Sequence, residues 1–240
     1  KKQWPAARRA ILVVMNTFQV LLGVIVASVL ALLLLRQFKR ENAKRADQGR
    51  VLFEPILALF DAPVVQRGEA AGVWTLAGRY HDRYFQLKTV ADTLATRKLP
   101  SLWLMVTLPE ALPVPATTNM MMRAAGVTSF SNFDFLPHTL SLPAGFPEQA
   151  TLRSDLKTSG DVASLMAHHL DIFHGGRGKE FLVSPKGLRI VVQLAEGDRA
   201  RYGVFREANF EGTSIDVDVA KQIMDTLINL RKDILNNAKA

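Results

Sequence analysis

The longest apolar run in the chain extends from Ala10 to Leu35, 26 positions without a charged residue. At about 1.5 Å per residue a helix of this length rises roughly 39 Å, more than the ~30 Å hydrocarbon core of a bilayer. The pattern predicts a transmembrane helix over 10–35. A cleaved signal peptide would have a shorter apolar core ending in small residues. Here the core ends in Leu32–Leu35 and runs into "RQFKREN", a stop-transfer pattern. Trp4 and Phe38 sit just outside the two ends, where aromatic rings favour the water boundary.

Beyond a polar stretch, residues 51–240 carry the periodicities of a folded domain. "VLFEPILALF", residues 51–60, predicts a short helix starting near Pro55. "GVWTLAGRYHDRYFQLKTVAD" has strand-forming residues on both sides of His81 and Asp82, which predicts a hairpin. "SLWLMVTL", residues 101–108, is apolar nearly throughout and predicts a central strand buried on both faces. Six prolines between Pro109 and Pro147 predict an irregular stretch without a central strand. Val162, Leu165, Met166, His169, Leu170 and Phe173 share one helical face, with Ser159 or Asp161 to cap it and Gly175 to close it. Leu188, Ile190, Val192 and Leu194 alternate, and the chain is expected to turn at "EGDR" and return through Tyr202, Val204 and Arg206. Ile215, Val219, Ile223, Leu227, Leu230 and Ile234 form the stripe of a C-terminal amphipathic helix. The expected class is α+β: an N-terminal transmembrane helix, then a mixed domain with antiparallel hairpins and that final helix. The expected segments are a basic flank at 1–9, the helix at 10–35, a basic linker at 36–50 and the domain at 51–240.

Charge is unevenly spread. Of a net +8, all is in the first 50 residues, which hold ten basic side chains against Glu41 and Asp47; the remainder balances at 20 and 20. The high isoelectric point therefore belongs to the flanks of the apolar run and gives no basic face for nucleic acid. Four basic residues precede the run. Arg36, Lys39, Arg40, Lys44, Arg45 and Arg50 follow it, which places the large domain in the cytoplasm and the chain in a bacterial inner membrane. The group Arg36, Lys39, Arg40, Lys44 and Arg45 suits either anionic lipid headgroups or a solvated helix. There is no cysteine, so thiol catalysis and thiolate metal sites are excluded.

Candidate chemistry is sparse. "HGGRGKE", residues 174–180, has the glycines and cations of a phosphate nest, but Phe173 and Glu180 stand where the phosphate-loop pattern needs Gly and Ser or Thr. It reads better as a helix stop and turn. His168, His169 and His174 lack the i, i+4 spacing of a helical zinc pair. "NMMMRAAGVTSFSNFDF" gathers Met120, Met121, Met122, Phe130, Phe133 and Phe135 into a soft apolar surface. It is either a loop packed on its own domain or a docking surface for another protein. No catalytic residue, cofactor site or metal site is expected.

Asn16, Gln19, Gly23 and Ala27 fall on one face of the apolar helix, with Ala31 extending the small ridge. Lipid offers an amide no partner, and small residues admit a second backbone, so this is the expected packing face. One apolar span, a basic linker and a mixed domain of under 200 residues resemble in layout the H subunit of purple-bacterial reaction centres; no residue motif is shared. The stretch from "FLVSPKGLRIVVQL" to "INLRKDIL" resembles uncharacterised domains of bacterial single-pass membrane proteins. These features together imply a non-catalytic accessory subunit of a larger membrane complex, photosynthetic or respiratory by the layout. Its partners would be transmembrane helices of other subunits and membrane lipids, with no nucleic acid. A tethered sensor or ligand-binding domain is the alternative, and an enzyme without a recognisable motif is a further one.

Overall fold

A computed structural model describes residues 22, 24–37, 39, 51–68, 73–92, 99–124, 126, 128–197, 210 and 212–239. The chain divides into two compact units, Lys1–Asp47 and Gln48–Ala240.

The described residues of the first unit are helical and exposed, including Ala27, Ala31, Arg36 and Lys39. Asn16, Gln19, Gly23, Arg40, Lys44, Arg45, Trp4 and Phe38 lie outside the described residues, as does the first part of the expected span. Among the described residues no helix is long and apolar enough to cross a membrane. The expected transmembrane helix is therefore not supported, and neither is the single-pass inner-membrane placement that followed from it.

The second unit also departs from the expected α+β arrangement. Nine strands form one sheet in the order β1-β2-β3-β4-β9-β8-β5-β7-β6. They are β1 (Asp61–Arg67), β2 (Trp74–Tyr80), β3 (Arg83–Asp92), β4 (Ser101–Leu108), β5 (Thr118–Met122), β6 (His138–Leu140), β7 (Ala150–Ser154), β8 (Gly178–Ser184) and β9 (Gly187–Glu196). Each described pairing is antiparallel. The turn between β2 and β3 is His81-Asp82, with φ of 47° and 60°. Two consecutive left-handed residues match the right-handed twist of a two-residue hairpin, and Asp tolerates that conformation well. The turn from β8 to β9 ends at Gly187, φ 142°, where a Cβ would run into the Leu108 carbonyl oxygen.

Strand β5 is the main departure inside the sheet. It lies between β8 and β7, with all five residues buried. The prolines that argued against a central strand bracket it instead: none occurs between Pro115 and Pro137. The helix expected from Val162 to Phe173 is two shorter ones, Val162–Ala167 and Asp171–His174. Asp161 makes no side-chain cap, and the left-handed residue that follows is Gly176, φ 78°, rather than Gly175. Pro55 lies within the helical residues 51–57. The expected return strand through Tyr202, Val204 and Arg206 lies outside the described residues; β9 pairs with β4 and β8.

One face of the sheet carries the larger core. Leu104, Val106, Phe181, Ile190 and Val192 point into it, and so do Ile223, Leu227, Leu230 and Ile234 of the helix Val217–Asn237. Burying each such side chain is worth about 1.5–3 kcal/mol. Asp216 caps this helix, accepting from the Asp218 and Val219 amides at 2.9 and 3.2 Å. Polar contacts pin its flank. Glu110 pairs with Arg231 and, at 3.4 Å, with Arg83; His169 Nε2 lies 2.9 Å from Asp233 Oδ2.

Tyr80 Oη donates to Asp225 Oδ1 at 3.0 Å. Burial, then the Asp225 hydrogen bond and its negative charge, push the phenol from about 10 up to about 12. The folded chain thus holds this proton more tightly than the unfolded one. The stabilisation is fully present below about pH 10 and is lost as pH rises toward about 12. Tyr80→Phe should cost about 1 kcal/mol at neutral pH and flatten the fall in the urea midpoint between pH 10 and 12. An unchanged alkaline slope would show that this contact does not govern it.

Candidate functional site

The opposite face has a smaller core and an unusual polar centre. Strand alternation turns Val90, Met105, Met121 and Val191 to this side, with Trp103 beside them. The segment 128–136, between β5 and β6, lies over them and buries Phe130 and Phe133. Trp103 and Phe130 meet at 5.3 Å between ring centroids, and the Arg153 guanidinium sits 5.2 Å from the centre of the Phe133 ring.

Beneath this segment is Glu180, fully buried. Its Oε2 takes two donors from Arg189, Nε at 3.0 Å and Nη2 at 2.9 Å. Its Oε1 accepts from Asn119 Nδ2 at 2.8 Å and from the Ser131 hydroxyl. Ser131 in turn accepts from the Phe133 amide at 3.1 Å. A carboxylate taken wholly out of water needs both a counter-charge and satisfied lone pairs, and these three side chains supply them. Asn119 Oδ1 and Trp103 Nε1 are buried without a hydrogen-bond partner among the described residues. Each such orphan costs roughly 1–3 kcal/mol. The cluster has no open approach for a substrate at its carboxylate, and its visible effect is to hold segment 128–136 against the sheet.

The soft apolar residues named from the sequence separate here. Met121, Phe130 and Phe133 belong to this second core, whereas Met120 and Met122 face the larger one. Phe135 stands 75% exposed. The "HGGRGKE" turn is bound to the end of β5. Lys179 Nζ donates to the carbonyls of Met122 and Arg123 at 2.6 and 3.0 Å, and Arg123 Nη2 donates to Gly176 O at 3.2 Å. His168 and His174 are exposed and His169 is committed to Asp233. Among the described residues no three His, Asp or Glu side chains gather as a metal site requires.

Glu180, Arg189, Asn119 and Ser131 were not legible as a group. Arg189 and Glu180 flank the turn at Pro185–Gly187, and the pairings Leu182↔Arg189 and Glu180↔Val191 make them diagonal neighbours on one face. Opposite charges nine apart across a short hairpin were the available signal.

The second core stops at β3. Beyond it, on β1–β3, the same face is an open depression of about 390 Å³, bordered by Asp61, Val64, Gln66, Arg79, Tyr84 and Gln86. Val64 and Tyr84 are each 49% exposed.

No family model matches the chain, and no curated protein or solved structure is significantly similar to it.

The Glu180 ion pair is asymmetric: Glu180 has no exposed side-chain surface, whereas Arg189 keeps 20%. Arg189→Met strands a buried charge and should cost about 3–5 kcal/mol. Glu180→Gln leaves an arginine that can turn toward water, so the loss should be smaller. Urea unfolding of both variants checks this order, and a reversed order would show that Arg189 is not the counter-charge Glu180 depends on.

Proposed function

We propose that the unit Gln48–Ala240 is a non-catalytic accessory module that binds another protein of a larger assembly through the open face of β1–β3. The observation that carries this reading is the pair Val64 and Tyr84, half exposed on a preformed concave surface that also presents Asp61, Gln66, Arg79 and Gln86. Tyrosine and arginine dominate the centres of protein interfaces, and Arg79 lies directly opposite Tyr84 in the hairpin. The partner seats on the face rather than extending the sheet. Edge strand β1 is broken by an irregularity between Asp61 and Val64, with Ala62 at φ 49° and Pro63 lacking an amide hydrogen. Such features blunt strand addition.

The volume also falls in the range of small-molecule sites, which supports ligand binding as a second reading. Gentle purification of the native chain separates the two. A companion protein in fixed stoichiometry, lost in Val64→Lys and Tyr84→Ser while the melting temperature holds, is the expected result. A native chain that runs alone, or with only a bound small molecule, overturns the docking reading. Retention of the companion by both variants places its contact elsewhere.

A further inference from the structure

We propose that residues 128–136 form a displaceable strap, and that the groove beneath accepts a peptide of the strap's own order: aromatic, hydroxyl, any residue, aromatic. In this chain that order is Phe130-Ser131-Asn132-Phe133. The strap closes the groove in cis, and a segment of like chemistry competes with it.

Three observations carry the inference. First, among the described residues no backbone–backbone hydrogen bond joins the strap to a strand. Its own are local, from Phe135 N to Asn132 O at 3.0 Å and Leu136 N to Phe133 O at 3.2 Å. It is attached through side chains: Phe130 and Phe133 in the apolar floor, Ser131 on Glu180, and Arg153 donating to Asp134 O at 3.2 Å. It can therefore lift without opening any β-ladder. Second, among the described residues the orphaned polar groups on this face, Trp103 Nε1, Asn119 Oδ1 and Arg153 Nε, belong to side chains that lie against the strap. Trp103 stacks near Phe130, and Asn119 Nδ2 reaches Ser131 Oγ at 3.5 Å, while Trp103 Nε1 and Asn119 Oδ1 find no partner. Closure covers groups it does not satisfy, and opening returns them to water. Third, the floor stays organised without the strap, because Arg189 and Asn119 hold the Glu180 carboxylate from within the sheet. An incoming hydroxyl would meet a preset acceptor.

The test uses the full chain and a fluorescent peptide spanning residues 128–136. Phe133→Ala weakens the strap in cis and should bind the peptide at least tenfold more tightly than the unaltered chain. A peptide with Ser131 replaced by Ala should lose most of that gain. Hydrogen exchange in the unaltered chain should show 128–136 opening well before β5 and β9. Should Phe133→Ala fail to fold, Ser131→Ala takes its place. A folded, strap-weakened variant that does not bind the peptide overturns the groove. Exchange of 128–136 only in step with β5 and β9 overturns the strap.

Discussion

A strand that is apolar on both sides has to be covered twice, and β4 imposes this requirement on the rest of the fold. Leu102, Leu104, Val106 and Leu108 leave it on one side, and Trp103 and Met105 on the other. An antiparallel sheet commonly leaves one face to water; this one cannot do so at its centre. The chain answers with two different covers. The larger face takes the helix Val217–Asn237, whose stripe of Ile223, Leu227, Leu230 and Ile234 is long enough to lie over β4 and β9. The smaller face takes the segment 128–136 and two phenylalanines.

The covers differ in how they are fixed. The helix satisfies its own backbone and is then located by Asp216, Asp225, Arg231 and Asp233 along its length. The strap has little regular structure beyond the short turn Phe133–Phe135, and so depends on side-chain anchors. A hydroxyl placed on a buried carboxylate is a strong anchor per atom, because charge-assisted hydrogen bonds gain in a low-dielectric surround. The same surround penalises whatever is left unpaired. Glu180 is tolerable only with Arg189 beside it, and the unmatched Trp103 and Asn119 atoms mark where the fit of this cover is imperfect.

This contrast explains what could be read from the residues alone. Local patterns were informative: the His81-Asp82 turn lies between its two strands, the alternation from Leu188 onward falls in β9, and the final stripe lies on one buried helical face. Pairings remote in sequence were not. Strand β5 joins β8 across 61 residues from Asn119 to Glu180, and proline density averaged over 109–150 hid the proline-free stretch that forms it. Apolar length at the N-terminus raised an expectation that the structure does not support, since among the described residues no helix is long and apolar enough to cross a membrane. The helix expected over 162–173 breaks at His168–Leu170, where His169 turns to Asp233 and tertiary pairing outweighs local periodicity.

Protection of the edges bears on how this sheet could meet another protein. At one end, Pro63 and the left-handed Ala62 interrupt β1; at the other, β6 is only three residues long. Both limit the row of free backbone groups that a foreign strand would need. The larger face is occupied by helices and the centre of the smaller one by the strap. Among the described residues, what remains is the stretch of the smaller face over β1–β3, where the second core has ended and the outward positions become Thr75, Ala77, Arg79, Gln86 and Lys88, with Val64 and Tyr84 among them. This surface is shaped before any partner arrives, because each of its side chains stands on a paired strand. Association there would order little new backbone, and a modest apolar contact suffices for binding when that entropic cost is already met by the fold.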